Sequence, residues 1–147
     1  MVLDDSCVFC KEIIIKRNAA IVAENDMVIS FMDNAPVEPG HILVIPKEHF
    51  ENIFDIDQRY YIEVQLMAKR VAKAVMKAMG ADGINIGQNN GSCANQRVMH
   101  FHVHVIPRWC DKPFKWGRLE VSFEDLQRTA QKIAGVYSEM ERNHDFD

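Results

Sequence analysis

Long apolar stretches are missing from this 147-residue chain. Even Ile13-Ile14-Ile15 is bounded by charge, so no segment supplies the ~20 apolar residues of a membrane-spanning helix. A surplus of basic charge is missing too. The chain carries 17 Lys+Arg against 21 Asp+Glu and a net charge of −4. That excludes the broad positive field on which non-specific nucleic-acid binding depends. Glycine and proline are sparse, and there is neither an internal repeat nor a low-complexity linker, so residues 1–147 are expected to form a single domain. The opening MVLDDS is acidic where a signal or transit peptide would be basic, which predicts a cytoplasmic protein. Cysteine is scarce as well. Cys7, Cys10, Cys93 and Cys110, with no export signal, do not make a disulfide framework. What remains is a globular composition, 48% hydrophobic and 26% charged, with six histidines, three of them within five positions.

The patterning predicts α+β architecture. A short helix spans Val8 to Lys16. Ile21–Glu24 and Met27–Met32 read as strands joined by an Asn25-Asp26 turn. Asp33 to Gly40 is a loop, and His41–Pro46 a third strand. From Asp57 to Met79, Tyr60, Val64, Met67, Val71, Val75 and Ala78 recur at steps of three and four, and Gly80 closes the helix. Gly83–Gln88 is a fourth strand, Asn89–Gln96 a polar loop, and Val98–Ile106 a fifth strand. Ser122 caps a last helix that runs to about Arg142, after which Asn143–Asp147 should fray. Five strands with short connections, one long central helix and a C-terminal helix read as an antiparallel meander.

The informative segment is Val98-Met99-His100-Phe101-His102-Val103-His104-Val105-Ile106. At a period of two, His100, His102 and His104 share one face, while Met99, Phe101, Val103 and Val105 share the other, which packs the core. Neutral imidazole is a ready ligand or nucleophile near pH 7. One metal does not hold all three, because the outer pair are about 13 Å apart along a strand. The row therefore divides its labour. One end can join Cys7 and Cys10 in a closed Cys₂His₂ zinc site, with either His41 or His49 as the fourth ligand. The remaining histidines are free for chemistry.

At these residues the chain resembles the histidine-triad (HIT) family. The segment His100 to Ile106 resembles the family's His-φ-His-φ-His-φ-φ signature. Cys7-Val-Phe-Cys10-Lys11-Glu12-Ile13 resembles the opening of bacterial Hint-like members. Phe31-Met32-Asp33-Asn34-Ala35-Pro36 and Pro39-Gly40-His41 through His49 resemble the central block, and Asn89 to Arg108 the phosphate loop and strand. The motif-bearing core is thus about 7–108, followed by a C-terminal extension of about 109–147.

The resemblance implies a HIT-like five-stranded antiparallel sheet and a homodimer whose sheets join. It also implies hydrolysis or transfer at the α-phosphate of a purine nucleotide, either a phosphoramidate or a dinucleoside polyphosphate. His102 would be the nucleophile, forming a nucleotidyl-histidine, with its other nitrogen protonated and bonded to the backbone of His100. His104 would bond the phosphate or leaving-group oxygen. Asp33 would hold the ribose hydroxyls, Asn89 and Gln96 the phosphate, and Ile21, Phe31 and Ile45 the base. The resemblance selects Cys7, Cys10, His49 and His100 for one structural zinc per chain and leaves His41 a structural role. Two residues depart from the family pattern. Asn95 stands where glycine is usual, and asparagine tolerates a left-handed backbone. Arg97 stands where Ser or Thr is common, which bears on the leaving group and adds Arg97 to the nucleotide-binding candidates. A nucleotide-binding regulatory or interaction module with little turnover is the alternative reading. A zinc nucleic-acid module is disfavoured by the acidic charge and by the long Cys-to-His49 spacing, so neither nucleic acid nor membrane is expected as a partner.

Overall fold

Asn25 makes the first hairpin. Its Oδ1 accepts hydrogen bonds from the Met27 and Val28 amides at 2.9 and 3.0 Å, which turns β1 (Ile21–Glu24) back onto β2 (Val28–Met32). The computed structural model describes residues 2–147. β2 continues into β3 (Ile42–Pro46). The loop between them closes at Gly40, whose φ of +95° suits glycine. A Cβ there would lie 3.1 Å from Met79 Cγ and 3.2 Å from Pro107 Cγ. Asp57 caps α1 (Gln58–Met79) by accepting from the Arg59 amide, and Gly80 ends it in the left-handed conformation. β4 (Gly83–Gly87) and β5 (Val103–Arg108) follow. α2 (Phe123–Arg142) starts where Ser122 accepts from the Asp125 amide.

The sheet is antiparallel throughout, in the order β1-β2-β3-β5-β4. It is therefore not the simple meander expected. After α1 the chain lays β4 at the edge, and β5 then fills the slot between β3 and β4. The alternation in β2 and β3 divides the core. Val28, Met32, Ile42 and Val44, with Phe101, Val103 and Val105, pack against α1 and α2. Ile29, Phe31, Leu43 and Ile45 pack on the other side against Phe9, Cys10 and Ile13 of a π-helical segment, Phe9–Ile15.

Three further expectations need correction. The fifth strand was expected over Val98–Ile106 and is observed over Val103–Arg108. Pro46, the residue that would face Phe101 across the ladder, has no N–H to donate. Its carbonyl instead accepts from the His100 ring at 3.0 Å, and the Phe101 amide donates to the Phe50 carbonyl at 2.7 Å. The ladder stops there, so Met99 lies outside the strand and is exposed, while Phe101, Val103 and Val105 are buried as expected. At the other end the strand runs on through Pro107 and Arg108, paired to Ile84 and Gly83. The C-terminal tail is not loose. Phe146 stacks on Tyr137 with ring centroids 4.8 Å apart, and Lys73 Nζ donates to the Asp145 carbonyl at 2.5 Å.

Candidate active site and metal centre

The backbone fixes which nitrogen each of three histidines presents, and through the His41 ring it fixes a fourth. His102 Nδ1 lies 2.7 Å from the His100 carbonyl. A carbonyl only accepts, so Nδ1 carries the proton and Nε2 is bare. His100 has the opposite arrangement: its Nε2–H donates to the Pro46 carbonyl at 3.0 Å, which frees Nδ1. The Val37 amide donates to His41 Nδ1 at 3.0 Å, so the His41 proton sits on Nε2. That Nε2–H donates to His104 Nδ1 at 2.9 Å, which leaves the His104 proton on its own Nε2. Burial disfavours imidazolium in all of them. It pushes His41 down to about 3 and His104 to about 4, and lowers His102 as well. The rings are neutral near pH 7, as a nitrogen nucleophile must be.

The freed Nδ1 of His100 points into a cluster with Cys7, Cys10 and His49, whose donor atoms all lie within 4.8 Å of one another. His100 Nδ1 is 3.4 Å from Cys7 Sγ, 3.5 Å from Cys10 Sγ and 3.2 Å from His49 Nδ1. His49 Nδ1 is 3.4 Å from Cys10 Sγ. Ordinary Zn–S and Zn–N bonds at tetrahedral angles require S···N spacings of about 3.5 Å and N···N spacings of about 3.3 Å. The spacings match. Further support comes from outside the donor set: the Pro46 carbonyl orients the His100 ring and the Cys10 amide donates to Cys7 Sγ at 3.4 Å. These four residues fit a structural zinc with no open position. His41 lies elsewhere, on His104.

A cleft of about 290 Å³ opens in front of His102 and His104 and is also lined by Asp33, Asn89, Arg97 and Arg118. Asp33, buried, accepts from the Ala35 amide at 2.9 Å through Oδ1 and from Arg118 Nη1 at 2.8 Å through Oδ2. The same Oδ2 is 3.6 Å from His41 Nε2. Gln96, buried, spends its side chain on the loop. It accepts from the Gly91 amide at 2.7 Å and donates to the Glu51 and Val98 carbonyls at 2.6 and 3.0 Å. Asn95 adopts the left-handed conformation that glycine would take, with φ +68°. Arg97 touches Asn95 at 3.4 Å and is otherwise exposed.

Next to the cleft, and sharing Phe9, Asn34, Leu43 and Val98 with it, lies an apolar pocket of about 430 Å³ that includes Phe31. Ile45 is fully buried in the core behind it and lines neither space, and Ile21 packs on that same core. The structure therefore brings together Phe31, Asp33, Asn89, Arg97, His102 and His104, sets Gln96 beneath the loop, and leaves Ile45 and Ile21 out. Two participants were missed by sequence reasoning. His41 was left a structural role, although its place just before the alternating Ile42–Ile45 run puts it on the Leu43 face, where His104 also lies. Arg118 had no local signal. It returns from the chain beyond β5, where the Leu119 amide donates to the Pro36 carbonyl at 2.8 Å.

Comparison with known proteins agrees with this geometry. Residues 16–110 match the sequence profile of the HIT domain. The chain is 34% identical over 134 residues to the adenosine 5'-monophosphoramidase HNT1 of Saccharomyces cerevisiae, covering 89% of this chain and 82% of that protein. A HIT-like protein from Bartonella henselae superposes with a TM-score of 0.83 at 37% identity, covering 92% of this chain and 99% of the other. A zinc-bound histidine triad family protein from Mycobacterium smegmatis superposes with a TM-score of 0.85 at 27% identity, covering 94% and 97%.

Proposed function

Because this chain belongs to the HIT family, we propose that it hydrolyses or transfers nucleotides at the α-phosphate by way of a nucleotidyl-His102 intermediate. The observation that carries the proposal is the His102 tautomer. With Nδ1–H held by the His100 carbonyl, the bare Nε2 is the nitrogen left to attack. It forms a P–N bond as the bond to the leaving group breaks. Water then attacks the phosphorus, the P–N bond breaks, and a nucleoside monophosphate is released. His104 donates its Nε2–H to a phosphate oxygen or the leaving atom, and His100 orients the nucleophile through its carbonyl. Asp33 takes ribose hydroxyls, since a carboxylate can accept several donors. Asn89 and Arg97 hold the phosphate, while Gln96 sets the shape of the loop that carries them. A purine is accommodated against Phe31 and Phe9 in the apolar pocket.

Cys7, Cys10, His49 and His100 would hold one zinc per chain. When bound, the metal supplies a cross-link between the N-terminal segment and the triad rather than chemistry on phosphorus. We place the protein in the cytoplasm, where the two thiols stay reduced. No helix among the described residues is long and apolar enough to cross a membrane. A second copy pairs along the free edge of β4, whose Ile86 is exposed; light scattering should then give about twice 16.9 kDa.

The test of the chemistry is to quench the protein with radiolabelled adenosine phosphoramidate in the steady state. The adduct should be acid-labile, should map to His102, and should disappear in His102→Ala. Turnover by His102→Ala at the wild-type rate would overturn the proposal.

A further inference from the structure

Behind His104 lies a second cavity, of about 230 Å³. His104, Asn89 and Arg118 line both it and the cleft in front of His102. The two spaces therefore meet at His104, and a group expelled from phosphorus past His104 enters the second. Its outer wall is Trp116. The strap that carries Trp116 and Arg118 is fastened at several points. The Arg108 guanidinium carbon lies 4.2 and 4.6 Å from the ring centroids of Phe114 and Trp116, which meet edge to face, and Arg108 donates to the Lys115 carbonyl at 2.7 Å. The Leu119 amide bonds Pro36. Arg118 is thus a cation on a pinned segment rather than on a free chain end.

The cavity is polarised in one direction. Among the described residues, no carboxylate lines it. Asp33, in the adjoining cleft, already has one oxygen on Arg118 Nη1, and Nη1 also donates to the Ala35 carbonyl at 2.8 Å. Nε and Nη2 of Arg118 make no hydrogen bond to another described residue, which leaves two donors in the planar fork that matches phosphate and sulfate oxygens. His104 adds its Nε2–H, and Asn85 and Asn89 contribute amides. An amine that leaves as an ammonium would meet a like charge there, and a neutral amine would gain nothing from the cation. A departing oxyanion would meet a cation and several N–H donors.

We propose that this cavity is the leaving-group pocket and that Arg118 makes it selective for leaving groups that bear a phosphate or sulfate oxyanion over amines. The proposal rests on the reading of His102 as nucleophile. In the step concerned, His102 Nε2 forms the P–N bond while the bridging P–O bond breaks. The oxygen leaves with the electron pair as phosphate or sulfate, which needs no proton near neutral pH. An amine must gain a proton as its P–N bond breaks, and Arg118 holds its protons too tightly to supply one.

The test compares kcat/KM for adenosine phosphosulfate, a diadenosine polyphosphate and adenosine phosphoramidate in the wild type, Arg118→Ala, Arg118→Lys and Arg97→Ala. In Arg118→Ala the ratio of oxyanion-leaving to amine-leaving turnover should fall about tenfold or more, with partial recovery in Arg118→Lys. Arg97 lines the cleft but not the second cavity, so Arg97→Ala should lower all three substrates together and leave the ratio near the wild-type value. A ratio change confined to sulfate or to phosphate supports the pocket and identifies its occupant. An equal loss on all three substrates in Arg118→Ala would mean that Arg118 serves only Asp33, and would overturn the inference, as would no loss on any. If the wild type turns over no substrate and labels no His102, the nucleophile reading itself fails. Turnover without Arg118 discrimination overturns this inference alone.

Discussion

His100 and His102 stand two residues apart on one short stretch of chain, are both buried, and present opposite nitrogens. At His100 the Pro46 carbonyl takes the Nε2 proton and Nδ1 turns to the two thiols. At His102 the His100 carbonyl takes the Nδ1 proton and Nε2 turns to the cleft. The corner formed by Cys7, Cys10, His49 and His100 is closed around its four donors, whereas the other end of the row faces an open cleft. Identical side chains thus present opposite nitrogens, one toward the thiols and one toward the cleft, because different main-chain carbonyls claim their protons. The lesson is that second-layer acceptors, not residue type, divide the row.

The contrast can be broken from either end, and the largest effect is expected at the cleft. His102→Ala should lower turnover of adenosine phosphoramidate about 10³-fold or more, yet metal analysis should still find one zinc per chain. Loss of zinc in that variant would show that the two ends are not separable. At the other end, Cys7→Ala should release the metal and cost several kcal/mol of stability, measured by metal analysis with thermal unfolding. A metal-free variant with an unchanged Tm would remove the structural role argued for the corner.

A third expectation concerns the cleft's own histidines in acid. His41 is held down to about 3 and His104 to about 4, chiefly by burial, whereas both titrate near 6.5 when unfolded. The unfolded chain therefore binds more protons between those limits. The contribution is complete above about pH 6.5 and is lost as the pH falls through about 4 and then 3. Urea denaturation between pH 7 and pH 4 should show this slope, and His41→Asn should flatten it. The smallest effect lies far from both ends. The Glu24 carboxylate is held at about 2, first by its hydrogen bond to Arg17, with Lys47 adding a second cation at 2.7 Å. Its contribution is present above about pH 4.3 and fades as the pH falls through about 2. Glu24→Gln should cost less than about 1 kcal/mol at neutral pH, because the pair is partly exposed.

Much of this arrangement was legible in the sequence wherever the signal is local. The bounds of α1 follow from its apolar period and from Gly80. Ser122 marks α2, Asn25 the first hairpin, and the alternation around His102 the face that bears the site. What escaped was set by distant partners. Nothing near residue 98 announces that Pro46 will deny the ladder a donor and so release His100 from the strand. Nothing near residue 118 announces Asp33, which lies 85 positions away. The placement of β5 between β3 and β4 likewise depends on filling an open slot after the helix has crossed, which no turn residue encodes.

The Val37 amide and the Pro46 carbonyl, which set protons on His41 and His100, have a consequence for mutagenesis. Every residue type keeps its carbonyl, and every type but proline keeps its amide hydrogen. A scan that trims side chains one at a time would register at Val37 only the packing it removed, and at Pro46 that packing together with the ladder donor a non-proline residue restores, so neither result would report on the histidine protons. Their part in the chemistry would surface only under edits to the main chain itself, such as Val37→Pro or an ester in place of the amide.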